Sequence, residues 1–235
     1  MLLFGNLSPQ LIIAVILAVL IGMTVHEFAH NYVAYLMGDD APLREGRLTL
    51  NPMVHINPLG FIMFVLIGFG ILGQAPISSQ RMGYKRLGVR FGQRWGYLAA
   101  VAAGPFSNLL LAILFALVLR ILGVGPQTLI NGVFYGVGDG TFMGTLTLLL
   151  GQIVRWNVLL FVFNLLPFFP IDGWHIIYSL LPPDLAYTWQ RYAQTTQYIL
   201  LGLILLSFLR IPGLNILGLL IGQPTISITL FLIGF

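Results

Sequence analysis

The stretch LIIAVILAVLIGMTVHEFAHNYVAYLM, residues 11–37, decides how the rest of the chain is read. It is apolar along most of its length, yet it contains His26-Glu27-Phe28-Ala29-His30, an H-E-x-x-H pattern. At 1.5 Å per residue it makes a helix of roughly 40 Å, enough to cross a bilayer with some tilt. On such a helix positions 26 and 30 lie one turn apart on the same face, so both imidazoles can reach one metal ion. Glu27 points to the side, where it can hold a water instead of ligating the metal. Two imidazoles and a carboxylate are costly in a membrane-spanning segment, and ionisable groups placed there mark function by default. The stretch predicts metal-dependent hydrolysis inside the bilayer, with Zn2+ as the expected ion. A polar cluster that only joins helices is the alternative for the same three residues.

The composition fits that setting. Of 235 residues, 58% are hydrophobic and 8% charged, against about 25% charged in soluble domains. One integral membrane domain over residues 1–235 is expected, without a large soluble appendage. The net charge of +4, with no basic patch on a polar domain, argues against a nucleic acid partner. Cysteine is absent, which removes disulfides, thiolate nucleophiles and Cys-zinc sites and leaves any metal to His, Asp or Glu. The first ten residues hold no Lys or Arg, so the basic start of a secretory signal is missing and the first apolar segment is expected to be permanent.

The pattern predicts an all-α polytopic membrane protein with about five or six membrane segments, and a small β-hairpin or re-entrant region after the first helix. Gly38-Asp39-Asp40-Ala41-Pro42 stops the 11–37 helix. Residues 44–95 hold a weakly alternating strand at 44–50, turns at Asn51-Pro52 and Asn57-Pro58, a 59–73 run too short to span, and a basic stretch. Helices are expected at 96–122 and at 145–168, the latter opening a 145–181 unit that runs into Pro167, Pro170 and Asp172-Gly173. The glycine-rich 123–144 stretch is expected to be a flexible connection. Residues 182–235 begin with an interfacial helix carrying Trp189, Arg191 and Tyr192, followed by apolar segments at 195–209 and 213–235.

Seven of the eleven Lys and Arg residues lie between 44 and 94, which places that region in the cytoplasm. If 59–73 does not cross, the N-terminus lies outside and the 11–37, 96–122 and 145–168 helices run inward, outward and inward. His26, His30 and Asp172 then all fall in the cytoplasmic half of the bilayer.

Two histidines need a third protein ligand for a catalytic zinc. Val33 and Leu36 exclude the compact pattern with a glycine and a third histidine after His30. Glu45 lies among surface-type residues, and Asp39, Asp40, His55, Asp139, Asp172, His175 and Asp184 remain. Asp172 is the best of them, because it ends an apolar helix between prolines and Gly173 permits close approach of another segment. Helix capping is its bland alternative. His175, one turn on, is the expected outer partner of the ligands. His55 reads more simply as a hydrogen-bonding loop histidine than as a ligand. The basic 81–94 cluster reads as a topology signal.

With these residues assembled, the chain resembles the site-2 protease family of intramembrane zinc metalloproteases. The match runs through His26-Glu27-x-x-His30, Ala103-Gly104-Pro105-x-x-Asn108 and Asn164-x-x-Pro167-x-x-Pro170-x-Asp172-Gly173, and through Gly46–Pro52 with His55, over roughly residues 20–185. It is closest to compact members without a PDZ or CBS domain. The resemblance implies Asp172 as third zinc ligand, Glu27 as general base, and Asn108 and Asn164 as cleft groups that contact substrate or the developing oxyanion. His55 and His175 would support the centre from outside. Where the family has His-x-Asp-Pro-x-Gly this chain has His55-Ile56-Asn57-Pro58-Leu59-Gly60. Where the family has Gly-Trp-Ala-Lys-Pro-Val-Pro it has Gly73-Gln74-Ala75-Pro76-Ile77. Both departures fall in the segment that would guide substrate.

The expected partners are a transmembrane protein substrate and the lipid bilayer, in a prokaryotic cell membrane. A proteolytically idle scaffold subunit of a larger membrane complex is the alternative. A transporter is disfavoured, because neither paired repeats nor a continuous polar path is visible.

Overall fold

A computed structural model describes residues 7–67, 73, 75–82, 92–209, 211 and 213–235. Ten α-helices are described: α1 Pro9–Leu36, α2 Ala41–Arg44, α3 Pro58–Ile67, α4 Gln93–Ile121, α5 Pro126–Ile130, α6 Phe142–Asn164, α7 Asp172–Leu180, α8 Pro183–Arg191, α9 Ala193–Phe208 and α10 Ile216–Ile233. Four of them, α1, α4, α6 and α10, are long and apolar enough to cross a membrane. The expectation of about five or six segments is corrected at α9, which has 16 residues and falls short of the roughly 20 that a span requires.

Helices α1, α4 and α6 pack against one another, and α10 lies on α4 and α6. Their shared core joins Ala18, Ala112, Ala116, Leu119, Val154 and Val158, small or branched residues that let the helix axes approach closely. Helix α1 starts where Ser8 accepts the N–H of Leu11 at 3.2 Å and Pro9 fills the first turn. Helix α6 starts on Thr141, whose hydroxyl accepts the N–H of Gly144 at 3.0 Å.

No strand forms at 44–50. Pro42 instead opens the short α2, and the chain reverses at Gly46 with φ +66°, where the N–H of Arg47 bonds the Pro42 carbonyl at 2.8 Å. The alternation in 44–50 is too weak to compete with a proline-started turn closed by a left-handed glycine. Among the described residues the β pairing is a single antiparallel bridge, Ile56 to Gly73. Within the 59–73 run the described helix is α3, and Phe64 seats it among Val15, Val19, Met23 and Leu160. Residues 68–72, Gln74, Lys85, Arg86 and Arg90 lie outside the described residues.

The 123–144 stretch is more ordered than its glycines suggest. It forms α5 and a π-helical turn, Asn131–Tyr135, and Gly132 and Gly151 are points where these elements touch α6 without room for a side chain. Gln152 donates to the carbonyls of Gly132 and Val133, and Arg155 to those of Val133 and Phe134. Loose composition here encodes close packing.

Two arginines of the basic stretch also have structural partners. Arg94 donates to the carbonyls of Ser179 and Leu181, tying the start of α4 to the end of α7. Asp39 is buried just after α1; its carboxylate accepts from Arg81 Nε at 2.7 Å, Ala41 N at 3.0 Å and Ser78 N at 3.1 Å. Burial pushes this carboxyl up, but the Arg81 guanidinium and the two backbone N–H groups outweigh it and hold the group below its ordinary 3.8. A carboxylate depressed on folding stabilises fully above its unfolded value and loses that contribution as pH falls through the folded one. Asp39→Asn should therefore lower the melting temperature of the detergent-purified protein at neutral pH by about 2–4 °C, the effect of ~1 kcal/mol. The gap to wild type should close as pH drops below 3.8. A gap that stays constant down to acid unfolding would show that the charge of Asp39 is irrelevant.

Candidate metal centre

Helix α1 brings His26, Glu27 and His30 into the bundle, all three buried. The third group comes from the end of α6. After Asn164 the prolines at 167 and 170 stop the helix, and the chain turns back into α7, whose first residue is Asp172. This corrects the expectation that Asp172 ends a helix: it opens one, where a carboxylate meets the positive helix end. It caps nothing, since Ile171 occupies the cap position and makes no side-chain cap bond. Gly173 is required for the turn, because an added Cβ would run into the backbone of Leu165 and Leu166.

His26 Nε2 and His30 Nε2 lie 3.0 Å apart, and Asp172 Oδ2 is 3.1 Å from the first and 3.3 Å from the second. The tautomers follow from the outer partners. His30 Nδ1 sits 2.8 Å from the carbonyl of Ala100, which can only accept, so Nδ1 carries the proton. His26 Nδ1 sits 2.8 Å from Asn108 Oδ1, while Asn108 Nδ2 donates to the Gly22 carbonyl at 2.9 Å, which fixes the amide with its oxygen toward His26. Both Nε2 atoms are then lone-pair donors aimed, with a carboxylate oxygen, at one point. Such a cluster calls for a cation or protons at its centre.

The residues fit zinc. Three corners of a tetrahedron with bonds of 2.0–2.1 Å lie about 3.3–3.4 Å apart, close to the spacings here. Two imidazoles and a carboxylate are a known catalytic donor set that leaves a position open. A Cβ on Gly104 would collide with both Nε2 atoms, so the glycine keeps that space clear. Glu27 stands beside the three donors with Oε2 buried and without a hydrogen-bond partner among the described residues. Gly73, held by its bridge to Ile56, packs on the Glu27 carboxylate so closely that any side chain there would strike it.

The centre opens on a cavity of about 520 Å³ lined by apolar groups such as Met23, Val101, Phe163 and Leu200, with Tyr97, Asn164, His175 and Gln197 as polar contributions. Asn164 is thus in the cleft, its Nδ2 bonded back to the Leu160 carbonyl at 2.9 Å. Asn108 is not: it is fully buried and both ends of its amide are engaged, which corrects the expectation of a cleft group. His175 lines the cavity wall, with Nδ1 3.1 Å from the Tyr97 hydroxyl, and the outer nitrogens of the two α1 histidines go to Asn108 and the Ala100 carbonyl instead. His55 is buried with Nε2 donating to the Thr49 carbonyl at 2.7 Å, which fits a loop histidine next to the Ile56–Gly73 bridge.

Sequence reasoning passed over Asn157, Tyr97 and Gly22, and read Gly73 only as part of a substrate-guiding segment, not as a neighbour of Glu27. Asn157 carried a signal, since an amide inside an apolar span is costly for the same reason as His26.

No family model and no solved structure matches the chain. Curated proteins do. The chain is 37% identical over 179 residues, 76% of its length and 72% of the relative's, to "Putative zinc metalloprotease YwhC" of Bacillus subtilis (strain 168). It is 28% identical over 209 residues, 86% of its length and 69% of the relative's, to "Putative zinc metalloprotease Rip2" of Mycolicibacterium smegmatis (strain ATCC 700084 / mc(2)155). Relatives named as zinc metalloproteases, the converging donors of His26, His30 and Asp172, and the apolar helices that carry them agree on one assignment: the chain belongs to the site-2 protease family.

Proposed function

We propose that this protein is a zinc-dependent intramembrane endopeptidase that hydrolyses a peptide bond within or near a transmembrane segment of another membrane protein. The observation that carries the reading is the buried Glu27 Oε2, without a hydrogen-bond partner among the described residues, beside three convergent lone-pair donors in a largely apolar cavity among membrane-type helices. His26, His30 and Asp172 would hold the ion, which when bound supplies Lewis acidity toward water and the scissile carbonyl. Glu27 takes the proton of the attacking water and returns it to the departing amine. Gly73 keeps its carboxylate from being displaced, and Asn164 offers an amide to the substrate backbone from the cleft wall. A helical peptide bond is shielded by its own hydrogen bonds, so the substrate must unwind to enter. Residues 75–78 lie outside any helix, with Ala75 and Ile77 on the cavity wall, where an unwound segment would pass. By the distribution of Lys and Arg, the cavity faces the cytoplasmic side of a prokaryotic membrane.

The test is cleavage of a transmembrane substrate by the purified full-length protein in liposomes. Chelator should abolish it and added zinc should restore it. A zinc-loaded protein that cleaves none of a panel of unrelated membrane helices would favour the idle scaffold subunit instead.

A further inference from the structure

We propose that Asn157, on α6, is a positioning residue that locks the tautomer of His26 through Asn108, so that His26 turns a lone pair and not a proton toward the three-donor centre. The proposal rests on the zinc reading of that centre, although the lock itself can be read without metal.

The deduction starts at a backbone carbonyl. Ile153 O can only accept, and Asn157 Nδ2 donates to it at 2.8 Å, which fixes the Asn157 amide. Its oxygen then faces α4, where a donor must meet it; Asn108 Nδ2 does so at 2.9 Å. The Asn108 oxygen is thereby left for His26, whose Nδ1 must carry the proton and whose Nε2 must be free. The second Asn108 N–H is held by the Gly22 carbonyl of α1, so the Ile153 carbonyl of α6, acting through Asn157, reinforces the lone pair presented on α1 across three helices. Asn157 and Asn108 are fully buried and His26 nearly so, leaving the links shielded from bulk water.

Asn157 touches neither the cavity nor the donors, so no direct role in chemistry is open to it. The packing nevertheless makes room for it. Gly22 lies where a Cβ would come within 2.8 Å of Asn157 Oδ1 and 2.9 Å of Leu160 Cδ1, so a glycine lets α6 reach this depth. Without Asn157 the Asn108 amide keeps only the Gly22 carbonyl, which also belongs to the α1 backbone ladder. A flipped Asn108 would offer its N–H to His26 Nδ1 and put the proton on Nε2, leaving no lone pair on the nitrogen that faces the centre.

The experiment is a double-mutant cycle on zinc affinity, measured by chelator competition on the full-length protein. Asn157→Leu should raise the zinc Kd about tenfold, the lower end for outer partners of ligands. In an Asn108→Ala background the same substitution should change it less than about twofold, because Asn157 then has nothing to act through. In zinc-free protein, at a pH where the imidazoles are neutral, ¹⁵N NMR of His26 should show the Nδ1–H form in wild type and a mixture of forms in Asn157→Leu. Gly22→Ala disturbs the same lock from α1 and should also give the mixture, which serves if Asn157→Leu does not fold. Equal losses of affinity in both backgrounds, or an unchanged Nδ1–H form in both variants, would overturn the proposal. A wild type that binds no zinc would sink the zinc reading alone, since the NMR result decides the lock independently.

Discussion

Glu27→Gln is expected to leave zinc content unchanged and to lower the cleavage rate by about 10²–10⁴-fold, the usual contribution of a positioned general base. The substitution keeps the size and shape of the side chain, and Glu27 is not one of the three convergent donors. The amide fits against Gly73 as the carboxylate does, so the fold has no reason to change. What it loses is the ability to accept a proton and release it within one turnover. Metal analysis of purified protein and a cleavage assay in liposomes read the two halves separately. Full activity in the variant would remove Glu27 from the mechanism, and loss of zinc would place it among the ligands.

Asp172→Ala should do the reverse of separating the two: zinc and cleavage disappear together. Deleting it leaves two imidazoles on one helix, below the three protein ligands typical of catalytic zinc. Zinc affinity should fall by more than ~100-fold, beyond the loss typical of an outer partner. A ligand that binds only the folded form raises its stability, so chelator should lower the melting temperature of wild type and leave Asp172→Ala unmoved. Wild-type zinc affinity in the variant would mean that another group supplies the third bond.

The parts of this centre legible in the sequence are those written as local patterns with a cost attached. His26, Glu27 and His30 declare themselves by lying in an apolar helix, and Asp172 by being the carboxylate left among prolines where a span ends. Asn108 was legible as a residue and misplaced in role, because a motif gives the side chain but not the direction in which its amide is spent. His26 and Gly22 on one side of it, and Asn157 on the other, come from other helices. The 44–50 strand failed because a short alternation carries less information than one proline and one left-handed glycine. The 123–144 glycines misled for a related reason: composition does not say whether a missing side chain gives freedom or contact, and at Gly132 and Gly151 it gives contact.

Helix α1 carries two imidazoles and a carboxylate, while the oxygen that completes the trio belongs to residue 172. Since chains are made from the amino end, residue 172 is synthesised long after His26 and His30, and the trio forms only once α7 packs back into the bundle. A polypeptide terminated before α7 therefore lacks a complete centre. The centre is thus a property of the packed bundle and not of the helix that bears the H-E-x-x-H pattern.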